Sequence, residues 1–194
     1  MRVNEIFYSI QGEGAHSGEA AIFVRLSGCN LRCSFCDTEH KPYQDLTEEK
    51  IVRQITKHPA NLVVITGGEP TLQLTASLVD KLHEAGKTVA IETNGTRPVL
   101  RNVDWITVSP KAAFLGEVAK PVVKTAQEVK IILDDLHDYE DPTFGITAAH
   151  YFVQPCDTTD EARNRDIINR CVQFVKQNPL WKLSLQTQKI LRVR

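Results

Sequence analysis

A short apolar run leads directly into a cysteine-rich loop in the sequence Ile22-Phe23-Val24-Arg25-Leu26-Ser27-Gly28-Cys29-Asn30-Leu31-Arg32-Cys33-Ser34-Phe35-Cys36-Asp37-Thr38. Its first five residues are mostly β-branched, aromatic or aliphatic, which is typical of a buried strand. The loop holds three of the chain's five cysteines, at the spacing Cys29-x3-Cys33-x2-Cys36. Such crowding indicates metal or redox chemistry rather than a disulfide framework.

Three thiolates on one loop fit two kinds of metal site. Four-iron clusters normally take four cysteine ligands, so three would leave one iron open for reactive chemistry. Alternatively, His40 follows Cys36 at a spacing that would complete a zinc site of three cysteines and one histidine. The loop by itself leaves both interpretations open. Cys171 lies in a helical pattern, and we expect it to be a small buried hydrophobe.

The rest of the chain alternates β-branched runs with polar helical stretches. Candidate helices cover 47–57, 74–85 and 160–177, and Thr47 is a good helix cap because acids follow it. Strands separated by helices predict a mostly parallel sheet. Because a closed eightfold barrel usually needs about 250 residues, we expect an α/β fold with an open or incomplete (β/α) barrel. The predicted strands are Ile22–Leu26, Leu62–Thr66, Val89–Thr93, Trp105–Val108, Val129–Leu133, Tyr151–Gln154 and Lys182–Leu185.

Glycine and polar residues follow nearly every predicted strand. Gly67-Gly68-Glu69-Pro70 comes after the second strand, and Ser109-Pro110-Lys111 comes after the fourth. In parallel α/β sheets, ligands bind beyond the carboxyl ends of the strands. The sequence therefore predicts one site built from many strand-end loops.

Composition narrows the class of protein further. The chain has 194 residues, 42% of them hydrophobic, with 23 Lys plus Arg against 24 Asp plus Glu. We expect a single domain over residues 1–194, with neither nucleic acid nor a membrane as the main partner. The longest apolar run is five residues, Ala20 to Val24, too short to span a bilayer. The N-terminus lacks the apolar segment of a signal peptide, so a cytoplasmic location is expected.

Two motifs together resemble a known superfamily. The C-x3-C-x2-C loop with Phe35 before its last cysteine, followed after the next strand by Gly-Gly-Glu-Pro, is similar to the radical S-adenosylmethionine superfamily. That resemblance implies a [4Fe-4S] cluster and S-adenosylmethionine, which together generate a 5′-deoxyadenosyl radical. Glycines would let backbone carbonyls approach the bound ammonium group.

Further motifs resemble one family of that superfamily, the 7-carboxy-7-deazaguanine synthases. They are Glu5–Gly14 with its Gln-Gly-Glu-Gly, Cys36-Asp37-Thr38, Ile91-Glu92-Thr93-Asn94-Gly95, Val108-Ser109-Pro110-Lys111, Gln154-Pro155 and Leu185-Gln186-Thr187. The resemblance implies a lyase of queuosine and 7-deazapurine biosynthesis. Its reaction would contract 6-carboxy-5,6,7,8-tetrahydropterin to 7-carboxy-7-deazaguanine with loss of ammonia and regeneration of S-adenosylmethionine.

The resemblance also implies roles for individual residues. Cys29, Cys33 and Cys36 would hold the cluster, and Thr38 would bind Mg²⁺, which prefers oxygen ligands. The pterin would be bound by Ile10, Gln11, Gly12, Arg25 and Thr66. The S-adenosylmethionine site would be lined by Phe35, Cys36, Asp37, Gly68, Ser109, Pro110, Lys111, Gln154, Pro155, Cys156 and Asp157. We assign no catalytic residue beyond these ligands.

Each of the polar assignments has a plainer alternative. Gln11 could brace a turn, Arg25 could be ion-paired, Thr38 could cap its loop and Lys111 could face solvent. The C-terminal stretch also departs from the family pattern. The usual Gln-Thr-His-Lys stands here as Gln186-Thr187-Gln188-Lys189, and the last residue is Arg194 rather than a proline, so we assign no substrate contact there.

Two other functions compete with this one. A small glycyl-radical activase shares the cluster loop and a similar length, and a zinc-stabilised binding module would not be an enzyme at all. The resemblance further implies a small-molecule pterin substrate, a flavodoxin-like or ferredoxin-like electron donor, and a homodimer.

Overall fold

The computed structural model describes residues 1–36, 38 and 42–194. Asp37, predicted to line the S-adenosylmethionine site, and His40, the possible zinc ligand, lie outside the described residues. Within this part the strands are β1 (Arg2–Ile10), β2 (Ala20–Leu26), β3 (Gln44–Asp45), β4 (Leu62–Gly67), β5 (Thr88–Thr93), β6 (Trp105–Val108), β7 (Thr125–Leu133), β8 (Thr147–Pro155) and β9 (Trp181–Leu183). The helices are α1 (Glu48–Ile55), α2 (Ala76–Glu84), α3 (Ala112–Leu115), α4 (Glu161–Gln177) and α5 (Thr187–Leu191).

All nine described strands form one sheet, in the order β3-β1-β2-β4-β5-β6-β7-β8-β9. Every pairing from β2 to β9 is parallel, whereas β1 pairs antiparallel with both β2 and β3. The edge strands β3 and β9 do not pair with each other. The expected open, mostly parallel α/β barrel is therefore confirmed.

Helix boundaries follow their capping residues. The Thr47 hydroxyl accepts a hydrogen bond from the Lys50 backbone N–H at 3.4 Å, and the Asp160 carboxylate accepts from Ala162 N at 2.9 Å. Both side chains satisfy backbone donors that the first helical turn leaves unpaired. Gly86 ends the α2 segment at φ +73°, which favours glycine. The three predicted helices are thus present, each beginning one or two residues inside its predicted range.

The strands bury one face against helices and turn a mixed face inward. Ile22, Val24 and Leu26 of β2 pack in the core formed with α1 and α2. On β7, Val129 and Ile131 pack in the core beneath α4. Because side chains alternate along a strand, the intervening residues point to the opposite face. This inner face carries an apolar cluster that includes Phe23 and Val64, and it also carries polar and charged side chains that line the cavity, among them Arg25 and Lys130.

The structure adds two strands that the sequence pattern did not predict, β1 and the two-residue β3. The pairing of β1 with β2 shifts register between Val3 and Glu5, and such a bulge interrupts the period-two alternation by which a strand is recognised. None of the helices in the described ranges is long and apolar enough to cross a membrane.

Candidate active site

A cavity of about 490 Å³ lies at the carboxyl ends of the parallel strands, where α/β proteins bind ligands. Asp37 is outside the described residues, and Pro110 does not line the cavity, although Ser109 and Lys111 on either side of it do. All the other predicted site residues lie on the wall: Ile10, Gln11, Gly12, Arg25, Cys29, Cys33, Phe35, Cys36, Thr38, Thr66, Gly68, Ser109, Lys111, Gln154, Pro155, Cys156 and Asp157.

The three loop cysteines line one side of this cavity as thiols. Burial raises the pKa of Cys29 and of Cys33, and the negative charge of a Cys36 thiolate raises both further. Among the described residues, no three His, Cys, Asp or Glu side chains converge on a position for one metal ion. Cysteines of a four-iron cluster bind different irons and need not converge in that way. The donor set therefore fits an iron–sulfur cluster.

The other two cysteines lie elsewhere. Cys171 is fully buried in the core between α4 and the sheet, as predicted. Cys156 is 7% exposed and follows the end of β8 on the cavity wall, where the neighbouring residues predicted for S-adenosylmethionine also lie. Neither belongs to the cysteine loop.

The glycine pair after β4 packs its backbone against the start of the cysteine loop. Gly68 N donates to Leu26 O and Glu69 N donates to Gly28 O, both at 2.9 Å. A Cβ atom at Gly68 would lie only 2.0 Å from Gly28 O, and one at Gly67 would lie 2.1 Å from Leu26 O. Only glycine permits this approach, so the pair fixes where the cysteine loop leaves β2.

Glu69 joins this turn to the end of the next strand. Its carboxylate is fully buried and accepts hydrogen bonds from Thr93 Oγ1 at 2.7 Å and from Asn94 N at 2.8 Å. Asn94 in turn donates to Asn30 Oδ1 of the cysteine loop at 3.0 Å. A satisfied buried carboxylate of this kind rigidifies its surroundings. Three strand-end loops are thereby held in one arrangement.

Aromatic and basic groups extend the wall beyond the cysteines. The Phe35 ring packs on Phe114, which packs on His137, with centroid separations of 4.5 and 4.7 Å. The Lys111 ammonium donates to Ser109 O at 2.7 Å, and burial lowers its pKa to about 8. Lys111 therefore faces the site rather than solvent.

Two of the residues predicted to bind the pterin, Gln11 and Arg25, already have partners within the protein. Gln11 Nε2 donates to Glu92 Oε1 at 2.9 Å, and Gln11 Oε1 accepts from Glu13 N at 3.2 Å. Arg25 Nε donates to Glu5 Oε1 at 2.9 Å, and its Nη1 lies 3.5 Å from Thr38 Oγ1. Gln11 thus braces a turn and Arg25 is ion-paired, while both also line the cavity.

Sequence reasoning missed a charged group on the inner face, formed by Glu13, Glu92 and Lys130. All three line the cavity, and Lys130 forms ion pairs with both carboxylates. The signal for Lys130 was a single cation inside the otherwise apolar strand 129–133. Gln186, Gln188 and Arg194 of the C-terminal segment also line the cavity, although no role was assigned to that segment.

Comparisons with known proteins identify the family. Residues 23–161 match the family model described as the radical SAM superfamily. The chain is 45% identical to the 7-carboxy-7-deazaguanine synthase of Bacteroides thetaiotaomicron over 100% of this chain and 98% of that protein. It is 39% identical to the enzyme of the same name from Burkholderia multivorans, over 98% of each chain.

A solved structure shares the fold. The crystal structure of QueE from Escherichia coli superposes with a TM-score of 0.72 at 27% identity, covering 95% of this chain and 92% of that one. With the cysteine loop, the glycine turn and the full-length similarity in agreement, the chain belongs to the 7-carboxy-7-deazaguanine synthase family of the radical S-adenosylmethionine superfamily.

Proposed function

We propose that this protein converts 6-carboxy-5,6,7,8-tetrahydropterin to 7-carboxy-7-deazaguanine with loss of ammonia. The observation that carries the proposal is a single cavity lined both by the three loop cysteines and by the polar inner face of the sheet. Such a cavity would bring the reactive centre and a polar binding surface for the substrate together. The whole-chain similarity to relatives named for this product supports the same conclusion.

As a radical S-adenosylmethionine enzyme, the protein uses a [4Fe-4S] cluster and S-adenosylmethionine. Cys29, Cys33 and Cys36 would hold the cluster. Bound there, the cluster and S-adenosylmethionine would supply the radical chemistry for hydrogen abstraction from the substrate. Four-iron clusters normally take four cysteine ligands, so a loop with three cysteines would leave a place for S-adenosylmethionine.

The neighbouring wall would bind S-adenosylmethionine. Phe35 offers an aromatic surface beside the cysteines, and the Gly68 backbone lies against Gly28 without an intervening side chain. Ser109 and Lys111 at the end of β6 would line this part of the site. Gln154, Pro155, Cys156 and Asp157 at the end of β8 would line it from another side, and Asp37 is assigned here from the sequence alone.

The substrate would occupy the inner face above β2 and β4. Arg25 and Thr66 are register partners on these strands, so their side chains project side by side. A planar guanidinium suits the substrate carboxylate, and the Gln11 amide with the Ile10 and Gly12 backbone suits the pyrimidine edge. Thr38 also lines the cavity, and its Oγ1 would supply an oxygen ligand for Mg²⁺.

The chain's partners follow from this chemistry. The substrate is a small molecule and the cluster needs an electron donor, for which we propose a flavodoxin-like or ferredoxin-like protein. We also propose a homodimer and a cytoplasmic location, where a reducing environment keeps cysteine thiols available for a cluster.

Anaerobic turnover tests the proposal. The reconstituted protein, with dithionite and S-adenosylmethionine, should release 7-carboxy-7-deazaguanine and ammonia in equal amounts from 6-carboxytetrahydropterin, identified by mass. Cys33→Ala is the matched control and should release neither. Absence of product from a protein that carries its cluster and cleaves S-adenosylmethionine would refute the assignment and favour an activase.

A further inference from the structure

Lys130 is a buried cation that the proposed reaction does not yet use. It projects from β7 into the inner face with its side chain 5% exposed. Its Nζ lies 2.6 Å from Glu13 Oε2 and 3.6 Å from Glu92 Oε2. These carboxylates come from two different parts of the fold, the loop after β1 and the end of β5. The ion pairs of Lys130 therefore connect two separate parts of the cavity wall.

Glu13 and Glu92 differ in how many of their hydrogen-bond acceptor positions are already used by the protein. Glu13 Oε1 accepts from Gln186 Nε2 at 2.9 Å and from Gln188 Nε2 at 3.1 Å, while its Oε2 contacts Lys130. Burial alone would raise the pKa of Glu13, but the Lys130 charge and these hydrogen bonds lower it to about 2. Glu13 is thus ionised, and three protein donors already use most of its acceptor positions.

Glu92 is more open. Its Oε1 accepts from Gln11 Nε2 at 2.9 Å, its Oε2 lies at the longer distance from Lys130, and its side chain is 27% exposed toward the cavity. A carboxylate offers about four acceptor positions. Glu92 therefore has acceptor positions left for a ligand in the cavity.

We propose that Lys130 is a positioning residue that holds the Glu92 carboxylate in place as an acceptor for the adjacent ring and amino N–H donors of the 2-aminopyrimidinone part of the substrate. This inference rests on the proposed function. Two parallel N–H donors match the two oxygens of a carboxylate, as they do in arginine–carboxylate pairs. Lys130 also pairs with Glu13, which accepts hydrogen bonds from Gln186 and Gln188 near the C-terminus.

The charges around Lys130 make the proposal testable by pH. Glu13 faces it from the loop after β1 and Glu92 faces it from β5, while Glu128 lies two residues earlier on β7. Lys111 and His16 are further groups nearby that can carry positive charge. Burial raises the pKa of Glu128, which the Lys130 charge opposes. Without Lys130, these three carboxylates would lie close together with less positive charge between them, and their repulsion would favour proton binding within the group as the pH falls.

The experiment compares Lys130→Met with Lys130→Arg and with the matched control Lys182→Met, an exposed lysine of β9. For reconstituted proteins, kcat and KM for 6-carboxytetrahydropterin are measured between about pH 6 and pH 8.5. Binding of the fluorescent oxidised analogue pterin-6-carboxylic acid is titrated in parallel. Thermal unfolding and iron content check that each variant is folded and loaded.

We expect KM of Lys130→Met to rise by about tenfold or more at pH 6.5 and to fall as the pH is raised, because each pH unit changes the ionised fraction of a carboxylate up to about tenfold. Analogue binding should follow the same trend. In wild type, Lys182→Met and Lys130→Arg, the KM should not rise in this way at low pH. A merely structural lysine would lower stability or iron content without creating a pH-dependent KM.

Each remaining outcome decides against the inference. If Lys130→Met turns over with the pH profile of Lys182→Met, Lys130 does not position Glu92. If Lys130→Met fails to fold, Lys130→Gln takes its place, because its amide can still donate a hydrogen bond while carrying no charge. A pH-independent KM in Lys130→Gln refutes the inference equally. If wild type makes no 7-carboxy-7-deazaguanine, the proposed function fails first and the role of Lys130 falls with it.

Discussion

Replacement of Gly68 by alanine should separate the glycine turn from the cysteine loop. The added Cβ would lie 2.0 Å from Gly28 O and 3.0 Å from Cys29 N, and both are backbone atoms that cannot rotate away. Restoring an ordinary contact requires a shift of roughly 1 Å or more. Such a shift would stretch the hydrogen bonds from Gly68 N to Leu26 O and from Glu69 N to Gly28 O, each now 2.9 Å.

The cost can be estimated from these losses. Overpacking costs about 1–3 kcal/mol, and two weakened backbone hydrogen bonds cost about 0.5–1.5 kcal/mol each. The free energy of unfolding should therefore fall by about 2–6 kcal/mol, which lowers Tm by about 5–20 °C in a chain of this size. Because the shift displaces Cys29, the iron and sulfide bound after reconstitution should fall as well.

Gly86→Ala is the matched control for this change. Gly86 has φ +73°, and a Cβ added there would meet no atom within 4 Å, so alanine costs only the backbone strain of about 1–2 kcal/mol. The Gly86→Ala protein should bind iron as wild type does. A Gly68→Ala protein with wild-type Tm and iron content would refute the close-packing argument.

Three further predictions concern the cysteines, the metal hydroxyl and acid stability. Alanine at any one of the three loop cysteines should abolish iron and sulfide binding, whereas Cys156→Ala and Cys171→Ala should keep it; loss of the cluster in either would contradict the three-ligand assignment. Thr38→Ala should keep the cluster but lose most of the stimulation of turnover by Mg²⁺. Thr38→Ser should retain much of that stimulation, because Mg²⁺ prefers oxygen ligands. Equal Mg²⁺ dependence in wild type and Thr38→Ala would place the ion elsewhere. The pKa of Glu13 is lowered to about 2 from 4.5, so its stabilising contribution is complete above about pH 4.5 and is lost as the pH falls toward 2. In denaturant unfolding, Glu13→Gln should therefore lose less stability than wild type between pH 5 and pH 3. An equal loss in the two proteins would contradict the pairing of Glu13 with Lys130.

Much of the fold was predictable because the buried strands of a parallel sheet are short, β-branched and followed by glycine or polar residues. The run 105–108 coincides with β6, and 62–66 and 89–93 each differ from β4 and β5 by one residue. The strand β1 was not predicted because its bulge between Val3 and Glu5 breaks the alternation. Its antiparallel pairing with β2 depends on long-range register, which no local pattern carries.

Site residues that belong to a short contiguous motif could be predicted from the sequence. Site residues whose partners are brought together only by folding could not. The cysteine loop and the glycine turn are contiguous, and both line the cavity. Lys130 is isolated in sequence, and its role could not be predicted because its partners Glu13 and Glu92 lie 117 and 38 positions away along the chain. Likewise, only the fold brings Gln188 within reach of Glu13.

The amount of product formed per methionine released tests the central claim most directly. The proposed rearrangement is redox-neutral, so the radical can return to regenerate S-adenosylmethionine. Under anaerobic, reducing conditions with excess 6-carboxytetrahydropterin, the ratio of 7-carboxy-7-deazaguanine to free methionine should far exceed one. A ratio near one, or methionine release without 7-carboxy-7-deazaguanine, would contradict the account and indicate an enzyme that consumes S-adenosylmethionine.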